Sequence, residues 1–237
     1  MRVGLIGPPQ SGKSTLFGAI TEHAAPADHA GLEHLASVKV PEPRLHLLVK
    51  LFSPKKCTEA TMDLVDLPGL SLEGAAQQAE FRRHLPALRQ CDALVAVLRD
   101  FADQTVPAYR GRIDPAGDLE ELLTELVFAD LEAVTNRIER LGKSLSKPTP
   151  ARQQEQERRE LALMQRCREA LEKDRPISSV VEGPEQAKAV SSFAFLTERP
   201  LIAVVNVDES RAAQPCALTN PSARAVLSLC AKTEAEI

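Results

Sequence analysis

The nine residues Gly7-Pro8-Pro9-Gln10-Ser11-Gly12-Lys13-Ser14-Thr15 constrain what this chain can fold into more than any other stretch. Apolar Val3, Leu5 and Ile6 precede them, and Leu16, Phe17, Ala19 and Ile20 follow, so the order reads strand, glycine loop, helix. That is the setting in which G-x-x-x-x-G-K-[ST] acts as a phosphate-binding loop. Gly7 and Gly12 permit the tight turn that aims successive amides and a helix N-terminus at one anion. Lys13 supplies positive charge for the β- and γ-phosphates, and the Ser14 hydroxyl is suited to ligate Mg²⁺. The candidate nucleotide contacts in this loop are Pro9, Gln10, Ser11, Gly12, Lys13, Ser14 and Thr15.

Three later elements fit the same architecture. Thr61 to Val65 reads as a strand that delivers Asp66-Leu67-Pro68-Gly69-Leu70. In this D-x-x-G element Asp66 can hold Mg²⁺ through a water, and the Gly69 amide can sense the γ-phosphate. Leu70 stands where Ras-type switches carry the glutamine that orients the attacking water, so any hydrolysis must position water differently. Pro200 to Asn206 is a buried-strand pattern ending in Asn206-Val207-Asp208-Glu209, where a GTPase shows N-K-x-D. Ala225 to Leu229 then delivers Cys230-Ala231-Lys232, in the place of the S-A-K element. Asn206, Val207, Glu209, Cys230, Ala231 and Lys232 are thus the candidate base-binding residues, with Val207 read as an apolar wall against the base.

Between these landmarks, Glu22 to Ala36 reads as a mobile loop in the position of a first switch, with Ser37 to Val40 a short strand and Arg44 to Phe52 a short helix. Glu80 to Arg89 reads as a helix, and Ala93 to Leu98 is a continuous apolar run of the kind a buried parallel strand needs. Phe101 to Asp118 reads as loop, with Pro107 and Pro115 as breakers. From Asp118 a long helix carries Val127, Leu131, Val134, Ile138 and Leu141 at alternating spacings of four and three. After Lys147-Pro148-Thr149-Pro150, a second helix from about Ala151 to Lys173 puts Leu161, Met164, Cys167 and Leu171 on one face. The pair predicts an antiparallel helical hairpin, either a brace or an arm that touches a large partner, with Lys143, Lys147 and Arg152 a weak basic cluster near its tip. Pro176 to Ala189 reads as connector and Val190 to Leu196 as a short helix.

Composition removes other classes. With 33 acidic and 29 basic residues the chain has no overall basic field, so contact with nucleic acid has to come from a local patch. Five cysteines lie far apart with no C-x-x-C pair, which argues against a zinc site, a disulfide framework or a disulfide-linked partner. No charged-then-apolar leader and no membrane-length apolar run is present, and the expected location is the cytoplasm.

These residues together resemble the YchF branch of the Obg-related P-loop NTPases. The likeness runs through Val40-Pro41-Glu42-Pro43-Arg44-Leu45, Pro54-Lys55-Lys56, Val65 to Leu70, Gly111 to Pro115, Glu125 to Glu132, Asn206 to Glu209 and Ala231 to Glu236. It implies an α/β fold, a doubly wound, mainly parallel sheet interrupted by the helical hairpin. The nucleotide domain would comprise residues 1–117 and 190–237, and the insertion with its connector residues 118–189. The small TGS domain that follows in the family is expected to be absent. The resemblance also implies a slow, Mg²⁺-dependent ATPase that uses GTP less well and switches on a ribosome-type partner; the alternative is a nucleotide-gated module with little turnover. Glu209, one methylene longer than the aspartate of N-K-x-D, spoils the bidentate fit to guanine, while Asn206 can still meet an adenine edge.

Two departures from the family bear on hydrolysis. The region around Gly31-Leu32-Glu33-His34 offers no threonine for the Mg²⁺ shell, and Glu73-Gly74-Ala75-Ala76-Gln77-Gln78 replaces a longer glycine-rich segment. His29 and His34 can act on nucleotide or water, although a histidine in a polar loop is ordinarily just solvated.

Overall fold

A computed structural model describes residues 1–21, 33–71, 74–148 and 150–236. Six strands form one sheet in the order β2-β3-β1-β4-β5-β6: β1 Arg2–Ile6, β2 His34–Lys39, β3 Thr61–Asp66, β4 Ala93–Asp100, β5 Leu201–Val207 and β6 Ala225–Leu229. All neighbours are parallel except β2, which runs antiparallel to β3 at one edge. The helices are α1 Lys13–Thr21, α2 Pro43–Phe52, α3 Ala75–Arg89, α4 Pro115–Leu145, α5 Ala151–Leu171, α6 Gly183–Ser191 and α7 Ala231–Glu236. Among the described residues no helix is long and apolar enough to cross a membrane.

A parallel strand covered on both faces has to be apolar on both, and β4 and β5 are. Ala96, Leu98, Ala203, Val205 and Val207 pack with Leu88 of α3 and Leu119 of α4, while Val97 and Val204 pack with Leu16 of α1 and Ala231 of α7. This alternation decides which side chains of β5 reach the nucleotide side of the sheet.

Helix α4 takes part in two cores. Its first turns give Leu119, Leu122 and Leu126 to the sheet cluster. Beyond them Val134 and Leu141 join Leu163, Met164, Cys167 and Leu171 of α5 in a second cluster, with Val127, Leu131 and Ile138 packed at its margin. The two helices run antiparallel: Arg137 holds Glu160 through Nε at 2.7 Å and Nη2 at 2.9 Å, and Ser144 Oγ donates to Glu157 at 3.0 Å. Such a two-pronged guanidinium–carboxylate contact fixes the register of the pair.

Several boundaries differ from expectation for definable reasons. Pro115 opens α4 instead of breaking a loop, because a proline in a first turn lacks only an amide that would have no partner there. The Asp114 side chain caps that turn by accepting from Gly117 N at 3.0 Å. Helix α6 occupies Gly183–Ser191, beginning inside the stretch read as connector and ending two residues past it, and Leu196–Glu198 forms a single 3-10 turn. Ile177, Val190 and Phe195 belong to the hairpin cluster, so the return segment packs on the insertion as far as residue 195, past the expected change of domain at 189/190. Strand β2 begins at His34, inside the stretch read as loop; residues 22–32 of that stretch, among them His29, Gly31 and Leu32, lie outside the described residues, as does Glu73.

The return to the sheet is held by Asp130 of α4, which is fully buried. Its carboxylate accepts Leu196 N at 3.0 Å and Thr197 N at 2.8 Å, with Arg89 Nη2 at 3.4 Å. Helix α2 is the opposite case: it buries no side chain, and Leu47, Leu48, Leu51 and Phe52 are exposed. Asp130→Ala strands two buried amides and is expected to lower the unfolding free energy by about 2–4 kcal/mol. Leu51→Ser is expected to change it by no more than about 0.5 kcal/mol, both read by urea denaturation.

Candidate nucleotide-binding site

The loop from β1 to α1 wraps around its own lysine. Lys13 Nζ donates to Gly7 O at 3.1 Å and Pro8 O at 3.0 Å, and the side chain is buried. Burial lowers its pKa from 10.5 to about 8, with the nearby Asp66 carboxylate working in the opposite direction. Ser14 Oγ, on the first turn of α1, donates to Asp66 Oδ2 at 2.9 Å. The strand pairing explains why they meet: Asp66 is the last residue of β3 and lies beside Leu5 of β1, just before the loop.

The Asp66-to-Leu70 turn is docked on the same loop. Leu70 N donates to Gly7 O at 2.9 Å, and a Cβ on Gly69 would stand 2.7 Å from Pro9 Cα, so only glycine fits this approach. Leu70 itself is buried in the sheet core and cannot orient a water. His34, at the start of β2, pairs with Asp66 across the antiparallel ladder and lines the same cleft. These groups line a cleft of about 360 Å³ together with Gly12, Lys13 and Ser14.

Two oxygen donors, the Ser14 hydroxyl and the Asp66 carboxylate, suit Mg²⁺, which keeps several waters and takes further ligands from phosphate. Among the described residues no group of three or more His, Cys, Asp and Glu is gathered for a metal.

The base-side residues divide. The Asn206 carboxamide ties three loops together: Nδ2 donates to Ser11 O at 3.1 Å, and Oδ1 accepts Ala231 N at 2.9 Å. A Cβ on Gly12 would lie 2.2 Å from that Nδ2, so this second glycine of the loop leaves room for the asparagine as well as for the turn, at φ +91°. Cys230 and Ala231 are buried, and Lys232 is exposed on the first turn of α7. Glu209 is exposed at the start of a 3-10 turn. That turn is fastened by Arg211, whose Nη1 donates to Asp100 Oδ2 at 2.9 Å and whose Nη2 lies 3.3 Å from Asp208.

Val207 is a correction. One residue past Asn206 on β5, it points to the other face of the sheet and is buried with Val205 in the core, where it offers no wall to a base. Two residues missed by sequence reasoning flank that side instead. Arg99, buried at the end of β4, donates to the carbonyls of Phe101, Val106 and Pro107 at 3.1, 2.8 and 3.1 Å. Its guanidinium lies 4.4 Å from the Phe101 ring centroid, and the Phe101 ring edge comes within 4.0 Å of a Cβ placed on Gly12. The available signal was an arginine closing an otherwise apolar strand run.

Comparison with known proteins places the chain in a family. The model of a family described as "50S ribosome-binding GTPase" matches residues 2–137. The chain is 32% identical over 251 residues to the ribosome-binding ATPase YchF of Bacillus subtilis, an alignment that covers all of this chain and 67% of the relative. It is 31% identical over 250 residues to the protein of the same name from Haemophilus ducreyi, covering 66% of it. The solved Schizosaccharomyces pombe YchF GTPase superposes on the whole chain with a TM-score of 0.78 at 24% identity, covering 67% of that structure, and shows the shared fold. The chain thus spans about two thirds of the length of these relatives. With its phosphate loop, its D-x-x-G turn and a similarity that runs through all of its residues, the chain belongs to the YchF family of P-loop NTPases.

Proposed function

We propose that this protein binds ATP in preference to GTP at the Gly7–Thr15 loop and hydrolyses it slowly, as a cytoplasmic switch that engages a ribosome-type partner. The observation that carries the reading is the junction of Lys13, Ser14 and Asp66 in one cleft, with Asn206 locking the loop to the Cys230–Lys232 turn. Phosphoryl transfer needs little covalent help from a protein, so positioning and charge neutralisation are the whole task. In this reading the loop amides and the Lys13 ammonium cradle the β- and γ-phosphates. The Gly69 amide faces the γ-phosphate, while Ser14, and Asp66 through a water, hold Mg²⁺. Bound there, the ion offsets phosphate charge. Glu209 weakens selection for guanine, Asn206 and the Cys230–Lys232 turn flank the base, and Phe101 lies on that side too.

The partner reading rests on the names of the relatives and on the described family. The exposed Lys143, Lys147 and Arg152 at the hairpin tip are the residues we assign to contact with rRNA. A second reading, a nucleotide-gated module without turnover, is favoured by one observation: Leu70 is buried where a water-orienting side chain is needed.

Phosphate release separates the two. The wild type with Mg²⁺ and ATP is expected to exceed the Lys13→Ala variant by at least about tenfold, with GTP slower; a rate equal to that variant defeats the hydrolytic reading. In titrations with fluorescent nucleotides, ADP is expected to bind more tightly than GDP. Gly12→Ala is expected to weaken binding and stability, and adding Asn206→Ala to recover part of the stability loss, since the new methyl then meets no amide. In nucleotide-free protein with chelator, the lowered Lys13 pKa means that the unfolded chain binds the proton that the folded chain lacks. Stability is therefore expected to gain from this group as pH rises between about 8 and 10.5, a contribution that Lys13→Met removes.

A further inference from the structure

We propose that His34 holds the attacking water, the task that Leu70 cannot perform; this rests on the hydrolytic reading above. Three observations place it. Leu70 is committed to the sheet core, so the turn that follows Asp66 brings no polar side chain to the cleft from that position. His34 lines the same cleft as Lys13, Ser14 and Gly69, and comes from β2, across the ladder from Asp66. Its backbone is held from two directions. The β2–β3 pairing continues from His34 through Lys39, and the preceding Glu33 places Oε1 3.4 Å from Nδ1 of His84, a buried residue of α3.

Among the described lining residues of the cleft, His34 alone comes from neither the phosphate loop nor the Asp66-to-Leu70 turn. The phosphate loop grips the leaving side of the nucleotide, so the water has to approach from the side facing away from the loop. Gln10 can also donate and accept, but it belongs to the loop itself, on the leaving side. Lys13, Ser14 and Asp66 are engaged with phosphates and ion in the reading above. An imidazole both donates and accepts hydrogen bonds in its neutral form, which is what orienting a water requires. In the step, the water oxygen bonds to the γ-phosphorus and the bond from that phosphorus to the β–γ bridging oxygen breaks. The electron pair stays with ADP; one water proton leaves on the released phosphate and the other goes to solvent. His34 orients the water and is not asked to keep a proton.

The test uses the full chain with Mg²⁺ and ATP, comparing wild type, His34→Ala, His34→Gln and Lys13→Ala. His34→Ala is expected to lose at least about tenfold in kcat with KM changed less than about threefold, and His34→Gln, which can still orient water, to keep most of the rate. A second readout needs no turnover: His34→Ala is expected to bind ADP like wild type but ADP with aluminium fluoride about tenfold more weakly, since only the transition-state mimic includes the water. Three results overturn the proposal. They are a His34→Ala variant that turns over at the wild-type rate, one that loses ADP and the mimic equally, which marks a structural role, and a His34→Gln variant as slow as His34→Ala. A wild-type rate no higher than that of Lys13→Ala defeats the hydrolytic reading, and this inference falls with it. An active wild type matched by His34→Ala defeats this inference alone.

Discussion

One carboxamide organises the site. Asn206 reaches from the end of β5 to the carbonyl of Ser11 and to the amide of Ala231, and so joins segments that are far apart in sequence. Each bond contributes only about 1 kcal/mol net, but leaving the buried groups unpaired would cost more than the bonds supply. The absence of a side chain on Gly12 is what admits the amide. The glycine pattern that first identified the loop therefore has two physical causes: the turn itself, and the room needed by a residue 194 positions later. The second belongs to the tertiary structure and is invisible in the motif.

The ligands of the cleft arrive by strand order. With β1 between β3 and β4, the loop after β1 opens beside the end of β3, which sets Asp66 against Ser14. With β5 beyond β4, the asparagine comes in from the other flank. No single element contains the site. It exists where the carboxyl ends of neighbouring parallel strands converge, which is where open α/β sheets place their ligands.

Sequence reasoning reached as far as local pattern goes. The strand, loop and helix at the start, the apolar β4 and β5, and the two facing helices were all legible because periodicity and glycine spacing are written locally. Pro115 was misjudged because a proline marks the beginning of a helix as readily as its interruption, and only the cap on Gly117 distinguishes the two. Val207 was misjudged because a motif aligned by position ignores which face of a strand each residue takes. Arg99 went unnoticed because its partners are carbonyls of a loop without regular structure, which no pattern announces. Asp130 lies within a stretch that resembles the family, yet its task of receiving two amides across 66 and 67 positions can be seen only in three dimensions.

The continuity of α4 has a mechanical consequence. Its 31 residues make a rod roughly 46 Å long, clamped on the sheet side as far as Asp130 and packed on α5 beyond it. From Asp130 to the far end is roughly 22 Å, so pivoting the clamped portion by about 5° swings the distal end by roughly 2 Å. A helix without a hinge works as a lever: a small rotation where it is clamped becomes a larger displacement at its tip.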